Sequence, residues 1–223
     1  MVSYRLNEII ELCGSAKRIA DVGCDHGKVL GELAKKGAKY LVATDISEPS
    51  VRKAGELLNK LNFKKFDVRV GNGCETLSEK DKLDMIVIAG MGGLEIIEIL
   101  KKSPIELTNL VLQPQNNVVK LREYLVENNF RIIVDKVVED KQKFYNILKV
   151  KKSDKKYELS AREIQYGKSN LKGYNPHFVL MLMEENEKLA ARQVNVTNEN
   201  IKNKMINTII KNNKEIERAN SRR

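Results

Sequence analysis

The segment Asp21-Val22-Gly23-Cys24-Asp25-His26-Gly27 puts two acids and one of the chain's two histidines into a glycine-punctuated turn, directly after a run that reads as a strand. Glycines there admit a sharp bend and a close-lying ligand, and a helix that starts in such a turn offers unpaired backbone N–H groups. A phosphate, a metal or a phosphate-free cofactor would each suit part of this chemistry. The dinucleotide fingerprint G-x-G-x-x-G is absent, because Cys24-Asp25-His26 fills the space between the glycines, which disfavours a nicotinamide oxidoreductase. Two phosphate charges beside Asp21 and Asp25 would be repelled, whereas a ligand carrying an ammonium group gains from the same acids. A metallohydrolase centre on Asp21, Asp25 and His26 lacks a second nearby histidine, since His177 falls in a helical tail, so no metal is expected. The turn therefore points to an ammonium-bearing cofactor.

Three more strand ends carry polar or glycine-rich groups. Asp45 closes L-V-A-T-D-I, 24 positions after Asp21, where an acid can accept both hydroxyls of a ribose; the plainer reading is an N-cap or surface acid near Ser47. Asn72, in Gly71-Asn72-Gly73, follows V-R-V and can hydrogen-bond an adenine edge. Ala89-Gly90-Met91-Gly92-Gly93 leaves room for a flat ligand or a substrate base, although simple turn geometry also uses such glycines. Four such places at successive strand ends match the rule that open α/β sheets bind ligands beyond the carboxyl ends of their strands.

The elements that must hold these groups are legible from periodicity. Strands are predicted over 17–23, 40–46, 66–71, 83–89 and 109–112, with helices over 27–36, 50–61, 94–101 and 118–128 between them. Continuous apolar runs such as Met85 to Ala89 suit a parallel sheet covered on both faces, which makes this a doubly wound α/β domain. Residues 131–138 and 144–150 form two further runs with only a polar E-D-K-Q-K between them, so they are expected as an antiparallel hairpin at one end of the sheet. The lysine run at 151–156 marks a boundary. Beyond it, helices are predicted over 160–167, from Pro176 to about Arg192, and along a stripe of Ile201, Met205, Ile209 and Ile210 that Ile216 extends. The expected division is a domain over 1–152 and an appended, coiled-coil-like helical unit over 153–223.

Bulk composition narrows the partners. Lysine and arginine number 40 against 30 acids, a formal charge of +10 on 223 residues. Such an excess favours polyanions, RNA or DNA above acidic proteins, through counterion release and steering. A lysine-rich proteome gives the same bias, so charge proposes a partner without identifying a reaction. The 71-residue tail holds 14 basic and 9 acidic residues, half of the net charge. An RNA clamp, a solvated support and an oligomer contact remain equal readings of it. Three cysteines without a repeated spacing argue against a disulfide framework or a cysteine zinc site. With no signal peptide and no apolar run near 20 residues, a cytoplasmic chain without a membrane contact or an obligate protein partner is expected.

The layout resembles the Rossmann-like class of S-adenosylmethionine-dependent methyltransferases. Within it, D-V-G-C-D-H-G, A-G-M-G-G and L-Q-P-Q followed by L-R-E-Y-L resemble the bacterial TrmK family, which methylates N1 of adenine 22 in certain tRNAs; the likeness spans about Leu6 to Val150, and the helical tail matches in kind. The resemblance implies a seven-stranded Rossmann-like sheet, S-adenosylmethionine as cofactor and tRNA as substrate. It implies that Asp21, Gly23, Asp25, His26 and Gly27 line the methionine and ribose side of the cofactor. Asp45 and Ile46 would hold its ribose and adenine, Asn72 and Gly73 would flank the base, and Ala89 and Gly90 would complete the wall. Asn72 stands where many relatives carry an acid, and Gln115 where relatives show asparagine; Gln115 or Asn116 would then orient the target amine. Asp25 and His26 could stabilise charge on the methylated base, with His26 accepting a proton or orienting the base. Met91, Gly92, Gly93, Gln113, Pro114 and Tyr145 would border the acceptor base, and Lys202, Lys204 and Lys211 would contact phosphate. Action on another RNA base or a small molecule is the nearest alternative; a noncatalytic RNA-binding module would explain the charge and leave the strand-end groups idle.

Overall fold

A computed structural model describes residues 2–223. Its seven strands are β1 (Arg18–Val22), β2 (Tyr40–Asp45), β3 (Phe66–Val70), β4 (Met85–Met91), β5 (Asn109–Pro114), β6 (Phe130–Asp140) and β7 (Lys143–Lys152), joined in one sheet of order β3-β2-β1-β4-β5-β7-β6. The first five strands are parallel, and β7 runs antiparallel to both β5 and β6. The anticipated terminal hairpin is present, with β7 the inner strand. Its two-residue turn, Lys141-Gln142, has both residues left-handed (φ 52° and 60°), which matches the twist of the flanking strands.

Alternation along the strands builds two apolar layers. Ala20, Val22, Val42, Ile86, Ile88, Leu110 and Leu112 pack on one face, and Ile19, Leu41, Ala43, Met85, Val87 and Val111 on the other. Helices α2 (Lys28–Lys35), α3 (Glu48–Lys60), α4 (Gly93–Lys101) and α5 (Val118–Glu127) connect the parallel strands. From β1 the chain winds outward through β2 to β3, then returns to β4 on the other side of β1. That reversal opens a crevice between the carboxyl ends of β1 and β4.

A helix not predicted from the sequence precedes the sheet: α1 (Tyr4–Cys13), capped by Ser3 and buried through Ile9, Ile10 and Cys13. Leu6, Ile9, Ile10 and Cys13 stand at i, i+3, i+4 and i+7, the spacing that would have revealed it. The tail forms α6 (Ala161–Tyr166), the short unpredicted α7 (Lys168–Lys172), α8 (Pro176–Gln193) and α9 (Glu199–Asn220), the last two packed as an antiparallel pair. The expected stripe on α9 requires correction, since Ile201 and Ile210 are each 47% exposed. The buried positions are Asn212, Glu215 and Ala219, because Asn212 bonds Tyr166 and Asn186 while Glu215 pairs with Arg162 and Arg218.

The tail is stitched to the sheet through Arg122 of α5, which is 1% exposed. Its guanidinium grips Asp135 of β6 at 2.7 and 2.9 Å, bonds Asn146 of β7 at 3.0 Å, and donates to the carbonyls of Ile164 and Gln165 in α6. Val137 of β6, Tyr166, Phe178 and Leu182 close a small apolar cluster beside it, against which Ile216 packs.

Candidate functional site

The turn after β1 folds onto β2: the amides of Gly23 and Cys24 both donate to the Thr44 carbonyl, at 2.8 and 3.0 Å. Thr44 in turn bonds the Gly73 carbonyl at 3.0 Å, drawing the loop after β3 to the same place. These ties gather the ends of β1, β2, β3 and β4 around a cavity of about 530 Å³. Asp21, Gly23, Asp25, His26, Asp45, Ile46, Asn72, Gly73, Ala89 and Gly90 all line it. Gly27 does not. A Cβ there would lie 2.7 Å from the Ala54 Cβ, so this left-handed glycine lets α2 pass close to α3 and has no ligand face.

Asp21 is buried, and the desolvation of its carboxylate, with the charges of Asp45 and Asp25 behind it, raises its pKa to about 7. The unfolded chain holds this group near 4, so between about pH 4 and 7 the folded state binds the proton more tightly and stability falls as pH rises. Thermal melts of Asp21→Asn are expected to show a higher melting temperature than the parent at pH 8 and little difference at pH 4. Asp45 is held rigidly, its two carboxylate oxygens accepting from the amides of Asp25 (3.1 Å) and Ser47 (2.9 Å). Ile46, 73% exposed, presents a bare apolar face at the rim. Burial pushes the Cys24 thiol well above its ordinary value, which keeps it protonated and inert.

His26 sits in an exposed chain of three. Its Nε2 lies 2.9 Å from Lys53 Nζ and its Nδ1 2.9 Å from Asp25 Oδ1. The ammonium can only donate, so Nε2 accepts and Nδ1 carries the proton toward Asp25. Both ring nitrogens have partners, and the ring stays at the wall of the first cavity.

A second cavity, about 580 Å³, lies between α5, the β6–β7 hairpin and α8, lined by Phe144, Tyr145, Met181 and Leu182 with Glu184 and Glu185. Gln115 lines both cavities. Its backbone N–H donates to the Met91 carbonyl at 2.8 Å, which seats it at the junction of β4 and β5 and leaves its exposed side-chain amide free. Asn116 faces neither space: its Oδ1 accepts from Asn117 Nδ2 at 2.8 Å and from the Gly93 amide at 3.4 Å. Of the two side chains, Gln115 borders the cavities and Asn116 does not.

Several expected acceptor-side residues stand elsewhere. Gln113 and Pro114 are buried, and the Gln113 amide is closed between Arg5 Nη1 (2.6 Å) and the Pro114 carbonyl (2.9 Å). Gly93 packs against loop backbone, where a Cβ would be 2.6 Å from the Asn116 carbonyl, and neither it nor Gly92 borders a cavity. Met91 lies in the first cavity, its methyl occupying the space a side chain on Gly23 would need. Tyr145 borders the second cavity and also packs against the core under the hairpin. Lys204 and Lys211 are exposed on α9 and Lys202 pairs with Glu199; none of the three lines either cavity. Arg5 and Leu6 of α1, with Lys28 and Glu95, are among the residues that also line the first cavity and were not expected there. For Arg5 the α1 periodicity was the available signal, and nothing in the local sequence sets it apart.

A family model described as TrmK, tRNA (adenine(22)-N(1))-methyltransferase, matches residues 19–216. A putative tRNA methyltransferase of Mycoplasma genitalium is 31% identical over 167 residues, 73% of this chain and 76% of that one. The tRNA (adenine(22)-N(1))-methyltransferase of Bacillus subtilis is 30% identical over 69% of this chain and 66% of its own length. A putative tRNA (m1A22) methyltransferase of Streptococcus pneumoniae, solved in complex with S-adenosyl-L-methionine, superposes with a TM-score of 0.87 at 28% identity, covering 97% of this chain and 100% of the other. Among the described residues, no helix is long and apolar enough to cross a membrane.

Proposed function

The chain belongs to the TrmK family, and on that premise we propose how its two adjoining cavities serve the reaction of a tRNA (adenine(22)-N(1))-methyltransferase. It transfers a methyl group from S-adenosylmethionine to N1 of an adenine, that at position 22, in tRNA. The observation that carries the assignment of roles is the placement of Gln115 in the wall between an acid-lined cavity and an aromatic one.

The first cavity fits the cofactor by its donor set. Asp21 and Asp25 would answer the ammonium group, Asp45 would accept the ribose hydroxyls, Ile46 would pack on the adenine, and Asn72 with Gly73 would flank its edge. When bound, the cofactor supplies an electrophilic methyl group on a sulfonium. In-line displacement at that carbon needs proximity, alignment and electrostatics, with no covalent nucleophile from the protein. Adenine N1 has a lone pair in the neutral ring, so no base must act before attack. The ring becomes cationic as it is methylated, and the field of Asp21, Asp25 and Asp45 in the cavity wall would favour that charge as it develops. Gln115 would accept from the adenine amine and aim N1, while Tyr145 stacks on a base drawn out of the tRNA, a contact worth about 1 to 3 kcal/mol.

We place the boundary of the catalytic domain at residue 152, the end of β7; residue 1 of that 1–152 span lies outside the described residues. The helical unit over 153–223 would bind tRNA phosphates through exposed cations such as Lys204 and Lys211, setting affinity and salt dependence without selecting the adenine. Incubating the chain with labelled cofactor and unmodified total tRNA, then digesting to nucleosides, should return the label in N1-methyladenosine; label confined to another nucleoside would overturn the reading. Asp45→Ala is expected to weaken S-adenosylhomocysteine binding about 10- to 100-fold in calorimetry, the worth of one or two charge-assisted hydrogen bonds, and unchanged affinity would remove Asp45 from the ribose site.

A further inference from the structure

We propose that Arg5 receives the carboxylate of the cofactor's amino-acid moiety, an inference that rests on the cofactor reading above. That moiety is zwitterionic. The acids of the first cavity, Asp21, Asp25, Asp45 and Glu95, suit its ammonium group and repel its carboxylate. The carboxylate needs a cation within the same wall, and the choices there are few. His26 is engaged by Asp25 and Lys53, and Lys28 is an exposed, unrestrained side chain at the rim.

Arg5 is different in kind. It is half-buried and already oriented: Nη1 donates to Gln113 at 2.6 Å, and the guanidinium carbon stands 4.9 Å from the centre of the Tyr145 ring. No carboxylate pairs with it among the described residues, Nε is buried without a partner, and Nη2 makes no hydrogen bond. A fixed guanidinium without a counter-ion, in a wall that also carries four acids, is an anion site, and a planar fork suits a carboxylate. The same group holds Gln113 and Tyr145, so the cation that receives the cofactor also braces the strand end that carries Gln115 and the ring that borders the acceptor cavity.

The test compares two ligands by calorimetry, S-adenosylhomocysteine and its decarboxylated analogue, which keeps the ammonium group. Arg5→Ala should weaken the first about 10- to 100-fold and the second by less than about 3-fold, with Arg5→Lys between parent and alanine because it keeps the charge and loses the fork. The parent chain should itself prefer S-adenosylhomocysteine by the same factor, a measurement that stands even if a variant fails to fold. Equal losses for both ligands in Arg5→Ala, no loss for either, or no preference in the parent would overturn the proposal. A parent chain that binds neither ligand would sink the cofactor reading instead.

Discussion

Replacing Gln115 by alanine is expected to lower kcat for tRNA methylation about 100- to 1000-fold while the affinity for S-adenosylhomocysteine stays within about 2-fold, as befits loss of one preorganised hydrogen-bonding group at the reacting centre. The expectation follows from where the side chain stands. Its backbone is fixed by the bond to Met91, its amide is free, and it borders both the cavity that suits the cofactor and the one that suits the base. It has no part in the core, so truncation should leave the melting temperature unchanged. Gln115→Asn keeps the amide and withdraws it by one methylene, and kcat should fall between parent and alanine, since a misplacement of about 1 Å is costly in a near-attack geometry. Steady-state kinetics with tRNA transcripts, beside calorimetry of the cofactor product, would decide it. A Gln115→Ala enzyme with undiminished kcat would shift the orienting role to another group. Asn116→Ala supplies the contrast: its side chain only trims the turn before α4, so its effect should be small.

Asp135→Ala should be the most destabilising single change of a polar residue, by about 3 to 5 kcal/mol, out of a total of about 5 to 15 kcal/mol expected for a domain. Asp135 is wholly buried and forms both contacts of the fork of Arg122. Its removal leaves a guanidinium inside the protein with only neutral acceptors: Asn146 and the two carbonyls of α6. The reverse experiment separates charge from packing. Arg122→Met combined with Asp135→Leu removes both ions together and should recover much of the loss, since an apolar pair of similar volume is often tolerated where a lone buried ion is not. Urea denaturation followed by circular dichroism measures all three. If Asp135→Ala unfolds at the parent's midpoint, the network is not what binds the tail to the sheet. The same substitution should also loosen α6 and α7, exposing 153–175 to protease before the sheet melts, because Asp135 fixes the guanidinium that donates to the α6 carbonyls.

Much of the architecture was open to reading in one dimension. Strand and helix periods differ, the parallel strands are apolar on both faces, and the polar E-D-K-Q-K interrupts two strand-like runs without a helix between them; these are local properties and they led to the right order of elements. Boundaries were less legible: β4 runs two residues beyond Ala89 to Met91, and β6 reaches Asp140, because pairing with a neighbouring strand extends an element past the end of its apolar pattern. The helix α1 had a clear pattern, yet an isolated ten-residue helix holds little stability of its own and exists here by packing Ile9, Ile10 and Cys13 on the sheet.

By itself the sequence determined which strand ends would meet and that the turn after β1 would be acidic, because glycine and carboxylate positions relative to a strand's end depend only on nearby residues. Side-chain direction is a matter of distant partners, and only the tertiary structure decided it. Gln113 lines neither cavity because Arg5, 108 positions earlier, holds its oxygen; Asn116 folded onto Gly93, 23 positions back; His26 bonds Lys53, 27 positions on. Gly27, which reads as part of a ligand turn, proved to be the point where α2 passes Ala54. Each of these groups has the chemistry for the site, and what separates those that line it from those that do not is which neighbour, far along the chain, reaches their hydrogen-bonding atoms or their empty space first.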